Sequence, residues 1–205
     1  MPPRRPVHIL GLNAHHADAA ACLLRDGVLL AAAEEERFTR VKHTGGFPTQ
    51  AVRWCLAHAG LSLADLDHVA VNRRAWPQDV PGVTDALQQA CPGPAFRGQV
   101  HAIEHQRAHL ASAYLASPFD EALVLSIDGE GDQASTAWGL GQGDALTEWG
   151  RIAWPHSLGL LYRALTRHLG FLQPGDEYKV MGLAPYGQPT LLPALRPLVQ
   201  LQDDG

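Results

Sequence analysis

Val7-His8-Ile9-Leu10-Gly11-Leu12, then Asn13 to Asp18, then Ala19-Ala20-Ala21-Cys22-Leu23-Leu24-Arg25, Asp26-Gly27 and Val28-Leu29-Leu30-Ala31-Ala32-Ala33: the fold turns on how this continuous stretch is read. The first block is an apolar run of strand length. The last two are apolar runs separated by two residues, and Asp-Gly in that position is a strong signal for a tight β-hairpin. The stretch therefore predicts three strands, 7–12, 19–25 and 28–33, with the 13–18 segment as the first loop. Strands ordinarily avoid alanine. The alanine runs on both arms of the hairpin predict a face packed closely against another element.

Further along, a second unit of the same kind is predicted, with strands at 122–127, 135–140 and 145–153, the last two joined around Gly141-Gln142-Gly143-Asp144. Between the two units, Pro48 opens an amphipathic helix over 49–59, with Ala51, Val52, Cys55, Leu56 and Ala59 on one side and Gly60 as its stop. Ser62 with Asp65 makes a capping box. Short strands are predicted at 67–72 and 99–103, and a helix at 105–116. Residues 73–98 hold Pro77, Pro81, Pro92 and Pro94 around one short helix, 83–90, and are expected to be a variable insertion. After the second unit, Leu158, Leu161, Leu165 and Leu169 form the stripe of an amphipathic helix ended by Gly170, and 176–183 is a further short helix. Two meanders, each followed by helices, predict an α/β domain with a mixed sheet flanked by helices. This is how the domains of the actin-like ATPase (ribonuclease H-like) architecture begin, with phosphate-binding turns in the hairpin loops.

The 205 residues suit one large domain, or one domain and part of another, and 46% hydrophobic content supports a sizeable core. A net charge of −5 with no basic face speaks against nucleic acid as partner. Cys22, Cys55 and Cys91 are odd in number and far apart, so neither a disulfide framework nor a zinc knuckle follows, and they suit a reducing compartment. No apolar run approaches the roughly 20 residues that span a bilayer. A cytoplasmic protein with no membrane partner is expected. The sequence closes on Asp203-Asp204-Gly205, a turn signal, and an incomplete piece of a longer chain is expected.

Glu104-His105-Gln106-Arg107-Ala108-His109 places two imidazoles four residues apart, on one face of a helix if the segment is helical. In Ser126-Ile127-Asp128-Gly129-Glu130-Gly131-Asp132 a strand ends on a carboxylate and opens into a glycine-rich turn. Two imidazoles and a hard oxygen suit Fe(II), Zn(II) or Mn(II) better than Ca(II). Spacing alone leaves open that these are ordinary histidines. Gly129, Gly131 and Asp132 would lie beside a phosphate, since glycine lets backbone approach it, or form a plain turn. His15, His16 and Asp18 read either as a polar turn or as a general base beside a phosphate or acyl site. The mixed-charge run from Glu34 to His43 is a solvated face or a grip for an anion. Lys179 reads as a surface lysine or a phosphate contact.

Gly11–Asp18, Ala32–His43, Glu104–Ala113, Ser126–Asp132, Pro155–Gly159 and Gly175–Gly187, in that order, resemble the O-carbamoyltransferases of nodulation-factor and antibiotic biosynthesis. The resemblance runs from Val7 to Gly187 and implies an actin-like N-terminal domain followed by a YrdC-like domain. In such proteins the YrdC-like domain makes carbamoyl-adenylate from carbamoyl phosphate and ATP, and the actin-like domain transfers the carbamoyl group to a substrate hydroxyl at an iron-type divalent metal. By this match His105, His109 and Asp128 are ligands, a fourth ligand lies further along, and His16, two residues before Asp18, is the base. The resemblance further implies that residues 1–205 are the N-terminal part of the actin-like domain. The YrdC-like domain is absent, the piece is inactive alone, and a second chain would be needed to complete it. The alternatives are half of an actin-like sugar or acetate kinase and a non-catalytic partner subunit.

Overall fold

The computed structural model describes residues 4–200. The Asp203-Asp204-Gly205 turn signal lies outside the described residues. The chain divides into two compact units, Met1–Leu160 and Leu161–Gly205.

The opening stretch forms the expected meander: β1 (His8–Asn13), β2 (Ala20–Arg25) and β3 (Val28–Glu34), each antiparallel to the next. Asp26 and Gly27 have φ of 51° and 81°, and two positive angles in succession give the turn whose twist matches the strands it joins. β4 (His68–Val71) adds parallel to β1, and β5 (Gln99–Ala102) parallel to β4, so the order is β3-β2-β1-β4-β5. That order, antiparallel on one side of β1 and parallel on the other, is the mixed sheet expected of an actin-like domain.

Two-residue periodicity puts Leu10, Leu12, Leu23, Val69 and Val71 on one face of this sheet. They are buried with Val52, Cys55 and Leu56 of a helix over Thr49–Ala59 and with Leu87 of one over Val83–Ala90. Each fully buried leucine contributes about 1.5–3 kcal/mol of transfer free energy. Within residues 73–98, Leu87 and Phe96 belong to the core. A short helix, α1 (Glu36–Thr39), precedes the Thr49–Ala59 helix, which is α2; the Val83–Ala90 helix is α3. Pro48 at the start of α2 has no capping side chain. Buried Glu35 does that work, its carboxylate accepting from the Gln50 and Ala51 N–H groups at 3.0 and 2.8 Å. The run 34–43 is thus neither wholly a solvated face nor wholly an anion grip.

The second meander is β6 (Glu121–Gly131), β7 (Ala134–Gln142) and β8 (Ala145–Ala153), in that order across a three-stranded sheet. One face is covered by α4 (His105–Leu115), whose Leu110 and Tyr114 pack on Val124 and Ala137. Gly141 leaves room for the Tyr114 ring, which a Cβ there would overlap. The strand expected to stop before Asp128 continues to Gly131, with a bulge between Ile127 and Gly131. Asp128 is therefore inside a strand, at an irregularity, which is a common way to re-aim a side chain.

α5 (Leu158–His168) begins in the first unit. The second unit holds the rest of α5, then α6 (Glu177–Leu183) and α7 (Leu192–Leu195). The leucine stripe of α5 has the expected period, but Leu158 and Leu169 are exposed. No helix among the described residues is long and apolar enough to cross a membrane.

Candidate metal centre

α4 is held at its first turn by two carboxylates. The Glu104 side chain accepts from the Arg107 N–H at 2.8 Å, and Asp132 from the His105 N–H at 2.9 Å. Negative charge at a helix N-terminus is favourable, because the first N–H groups have no partner in the helix. Arg151 pairs with Glu104 at 3.2 Å and ties β8 to the same point. The rotation of α4 about its axis is set by Gln106, which is fully buried. Its amide donates to the Ala134 carbonyl at 3.1 Å and accepts from Ser126 Oγ at 2.7 Å, spanning β6 and β7. With Gln106 inward, His105 and His109 sit one turn apart on a single face.

These two imidazoles meet Asp128. His105 Nε2 lies 2.8 Å from Asp128 Oδ2 and 3.0 Å from His109 Nε2, and His109 Nε2 lies 3.5 Å from the same oxygen. The three ligand atoms all fall within 4.8 Å of one another. The His105 side chain is largely buried and that of His109 half-exposed, so the group has an inner wall and an open side. Gly131 permits the approach: a Cβ there would overlap the His105 ring. Gly159 plays the same part beneath the Asp128 carbonyl, which accepts from Ser157 Oγ at 2.9 Å. The Gly129 N–H donates to Asp128 Oδ1 at 2.6 Å, leaving Oδ2 to the histidines.

The electrostatics follow from this geometry. The Asp128 hydrogen bond raises the imidazole pKa of His105, against a smaller opposing effect of burial. Burial pushes the Asp128 carboxyl up, but hydrogen bonds from His105, His109 and the Gly129 N–H together outweigh it and hold the group well below the ordinary carboxylate range. A neutral His105 Nε2 carries at most one proton, yet faces both an oxygen and a second imidazole nitrogen. A cation among the three atoms satisfies all of them at once, so the donor set fits a divalent transition metal.

Of the other sequence candidates, His16 and Asp132 lie close to this group. The ring centroid of His16 is 6.2 Å from that of His105. The loop carrying it is built by Asn13, whose amide donates to the Ala17 and Asp18 carbonyls at 3.1 and 2.8 Å. Backbone bonds from His15 to Gly46 and from Ala19 to Thr44 tie it down further. Asp18 pairs with His43 Nδ1 at 2.8 Å, not with His16. His43 was visible in the sequence only as one charge among many. Asp132 is engaged by the Arg74 and His105 N–H groups, so its carboxylate acts as an anchor between segments. Lys179 lies in the second unit, where it pairs with Asp176 at 2.5 Å. A cavity of about 980 Å³ opens beside His105 and His109, walled by Ile9, Gly11, Cys22 and Ala32 on the sheet and by Ala108 and Ala111 on α4.

Similar proteins are known over most of this chain. An uncharacterized protein of Synechocystis sp. is 40% identical over 97% of this chain and 38% of its own length. The nodulation protein NolNO of Sinorhizobium fredii is 36% identical over 87% of this chain and 29% of its own length. The chain thus spans between a quarter and two-fifths of these relatives. Among solved structures, a ROK hexokinase from Thermus thermophilus aligns over 91% of this chain and 72% of its own, with 16% identity and a TM-score of 0.47. YeaZ from Pseudomonas aeruginosa aligns over 73% and 68%, with 18% identity and a TM-score of 0.44. The family described as "Carbamoyltransferase N-terminus" matches residues 8–81 and 86–204, and this chain belongs to that family.

Proposed function

We propose that this chain carries the transfer site of an O-carbamoyltransferase, in which a substrate hydroxyl receives the carbamoyl group of carbamoyl-adenylate. The observation that carries the reading is the convergence of His105, His109 and Asp128, with three ligand atoms within 4.8 Å, in a member of the carbamoyltransferase family. These three residues would hold a divalent metal, Fe(II) by preference and Zn(II) or Mn(II) as alternatives. Such a cation supplies Lewis-acid polarisation of the carbonyl and neutralises phosphate charge.

The chain's own residues supply the rest. With His16 Nδ1 directed at the Ala17 carbonyl at 3.3 Å, Nε2 is the nitrogen available to take a proton. The acceptor oxygen attacks the carbamoyl carbon while His16 takes its proton. A C–O bond forms to the acceptor, the C–O bond to the adenylate phosphate breaks, and AMP leaves with the electron pair. Asp18 and His43, paired at 2.8 Å, hold the loop that presents His16. The glycine-bearing bulge at Gly129 and Gly131 is assigned to the nucleotide phosphates. Carbamoyl phosphate and ATP are the precursors of the donor. Their conversion is assigned to polypeptide beyond these residues, supplied by the same protein or by a second chain.

The test is metal analysis of purified protein together with carbamoyl transfer by the full-length protein. His105→Ala should abolish bound metal and transfer while leaving carbamoyl-adenylate formation intact. Transfer that survives the substitution removes the metal assignment. A protein that binds no transition metal and phosphorylates sugars would instead be a kinase half.

A further inference from the structure

One buried nitrogen plays no part at the metal centre. His15 Nε2 is enclosed and makes no hydrogen bond. Buried polar atoms without a partner are rare in folded proteins, so what completes this one is a physical question. The segment around it is firmly built. His15 has φ of 55°, its N–H donates to the Gly46 carbonyl at 2.7 Å, and its carbonyl accepts from Arg73 Nη2 at 3.3 Å. Its ring stands edge-on to that of Trp76, with centroids 5.0 Å apart. Trp76 Nε1 in turn donates to the Pro81 carbonyl at 2.9 Å and closes the 76–81 turn. A pocket of about 560 Å³ opens beside this ring, lined by His15, His16, Gly45, Gly46, Pro77 and Asp79. Asp79 is exposed, and its carboxylate makes no hydrogen bond or ion pair among the described residues. Burial and the Arg73 guanidinium lower the His15 pKa against the opposing pull of Asp79, so near pH 7 the ring is neutral, with one nitrogen to donate and one to accept.

We propose that this pocket seats the acceptor, with the reacting hydroxyl at His16 and a neighbouring hydroxyl or amine held by His15 and Asp79. The inference rests on the reading of His16 as the base of a carbamoyl transfer. Position supports it. His16 lines the pocket, and its ring lies 6.2 Å from that of His105, so a molecule in the pocket sits beside the group that takes its proton. Chemistry narrows the ligand. A carboxylate only accepts, so the group against Asp79 must carry an O–H or N–H, and a neutral imidazole can complete either. A simple alcohol engages His16 and leaves the other two side chains idle. A vicinal diol or amino alcohol engages all three, while Pro77 and Val80 offer an apolar wall to its carbons. The wall is tied to the metal centre a few residues before Pro77, where the Arg74 N–H donates at 2.9 Å to Asp132, the carboxylate that also accepts from the His105 N–H. The match to the carbamoyltransferase family omits residues 82–85, just beyond this wall. The wall therefore borders a stretch in which this chain departs from its family, which suits a segment that selects the acceptor.

The test uses the full-length protein with cis-1,2-cyclohexanediol, cis-2-aminocyclohexanol and cyclohexanol as probes. Binding is read from Trp76 emission, identified by its loss in Trp76→Phe. The diol or the amino alcohol should bind about tenfold tighter than cyclohexanol. A lead for the diol marks a neutral polyol as the acceptor class, and a lead for the amino alcohol marks an ammonium paired with Asp79. His15→Phe keeps a ring against Trp76, and Asp79→Ala alters an exposed position; each should remove the preference. In transfer assays supplied with carbamoyl phosphate and ATP, both should raise KM for the preferred probe about tenfold while kcat and carbamoyl-adenylate formation hold. Equal binding of the probes, or a preference that survives both substitutions, overturns the proposal. Transfer with KM unchanged in both variants also overturns it and leaves the transferase reading standing. The expected binding preference without transfer to any probe removes the transferase reading and leaves the pocket.

Discussion

β1 and β6 begin meanders of the same kind, and the more apolar of the two is the more exposed. Ala122–Ile127 is aliphatic apart from Ser126, yet one of its faces lies open, whereas β1 carries His8, Gly11 and Asn13 and hides both of its central leucines. Burial here is decided by neighbours. β1 has α2 and α3 across one face and β4 on its edge, while among the described residues β6 has α4 packed on one face and no strand on its outer edge.

That contrast can be broken most directly by truncating one leucine in each strand. Leu10→Ala should cost about 2–5 kcal/mol in urea unfolding, the usual range for a fully buried leucine that leaves a cavity. Leu125→Ala in the isolated chain should stay within about 0.5 kcal/mol. Equal losses would show that β6 is already covered. A smaller effect separates the helices on the two sheets. Glu35→Ala leaves one buried and one partly buried N–H group of α2 unpaired and should cost about 1–3 kcal/mol. Glu104→Ala should cost about 1 kcal/mol, since Asp132 still serves the first turn of α4.

Gly131→Ala sharpens the comparison at the site. Its added methyl displaces the His105 ring and should weaken metal binding about 10–100-fold, read by metal titration. The smallest effect concerns the first core. Burial pushes the Cys55 thiol up to about 11 from its usual 9.0. At pH 8 its thiolate is then roughly a hundredfold scarcer than that of a free thiol, and alkylation should wait for denaturant. Because the folded value is raised, this group's contribution to stability is complete below about pH 9 and is lost as pH rises through about 11. Prompt labelling of native protein would mean that the core opens.

Much of this was legible in the chain itself. The Asp26-Gly27 turn, the 49–59 helix ended by Gly60, and the His105/His109 spacing all rest on interactions within a few residues, and local interactions are what periodicity and turn chemistry report. What escaped the reading is nonlocal. Glu35 caps a helix that starts 14 residues later, Gln106 locks α4 onto two strands about 20 and 28 residues away, and Asp132 joins the His105 turn to Arg74 across 58. No pattern in the sequence marks one glutamate among Glu34, Glu35 and Glu36 as the buried one.

By itself the sequence determined the elements, the two meanders and the residue types that can ligate a metal, because hydrophobic period, hairpin turns and helical spacing are set by chain geometry. Only the tertiary structure decided that Asp128 stands within a bulged strand facing both histidines, that His16 lies beside His105 while Asp18 turns to His43, and that β6 has no second strand neighbour among the described residues. Those outcomes depend on which segments pack together, and packing is settled by the summed burial and hydrogen bonding of residues far apart in the chain.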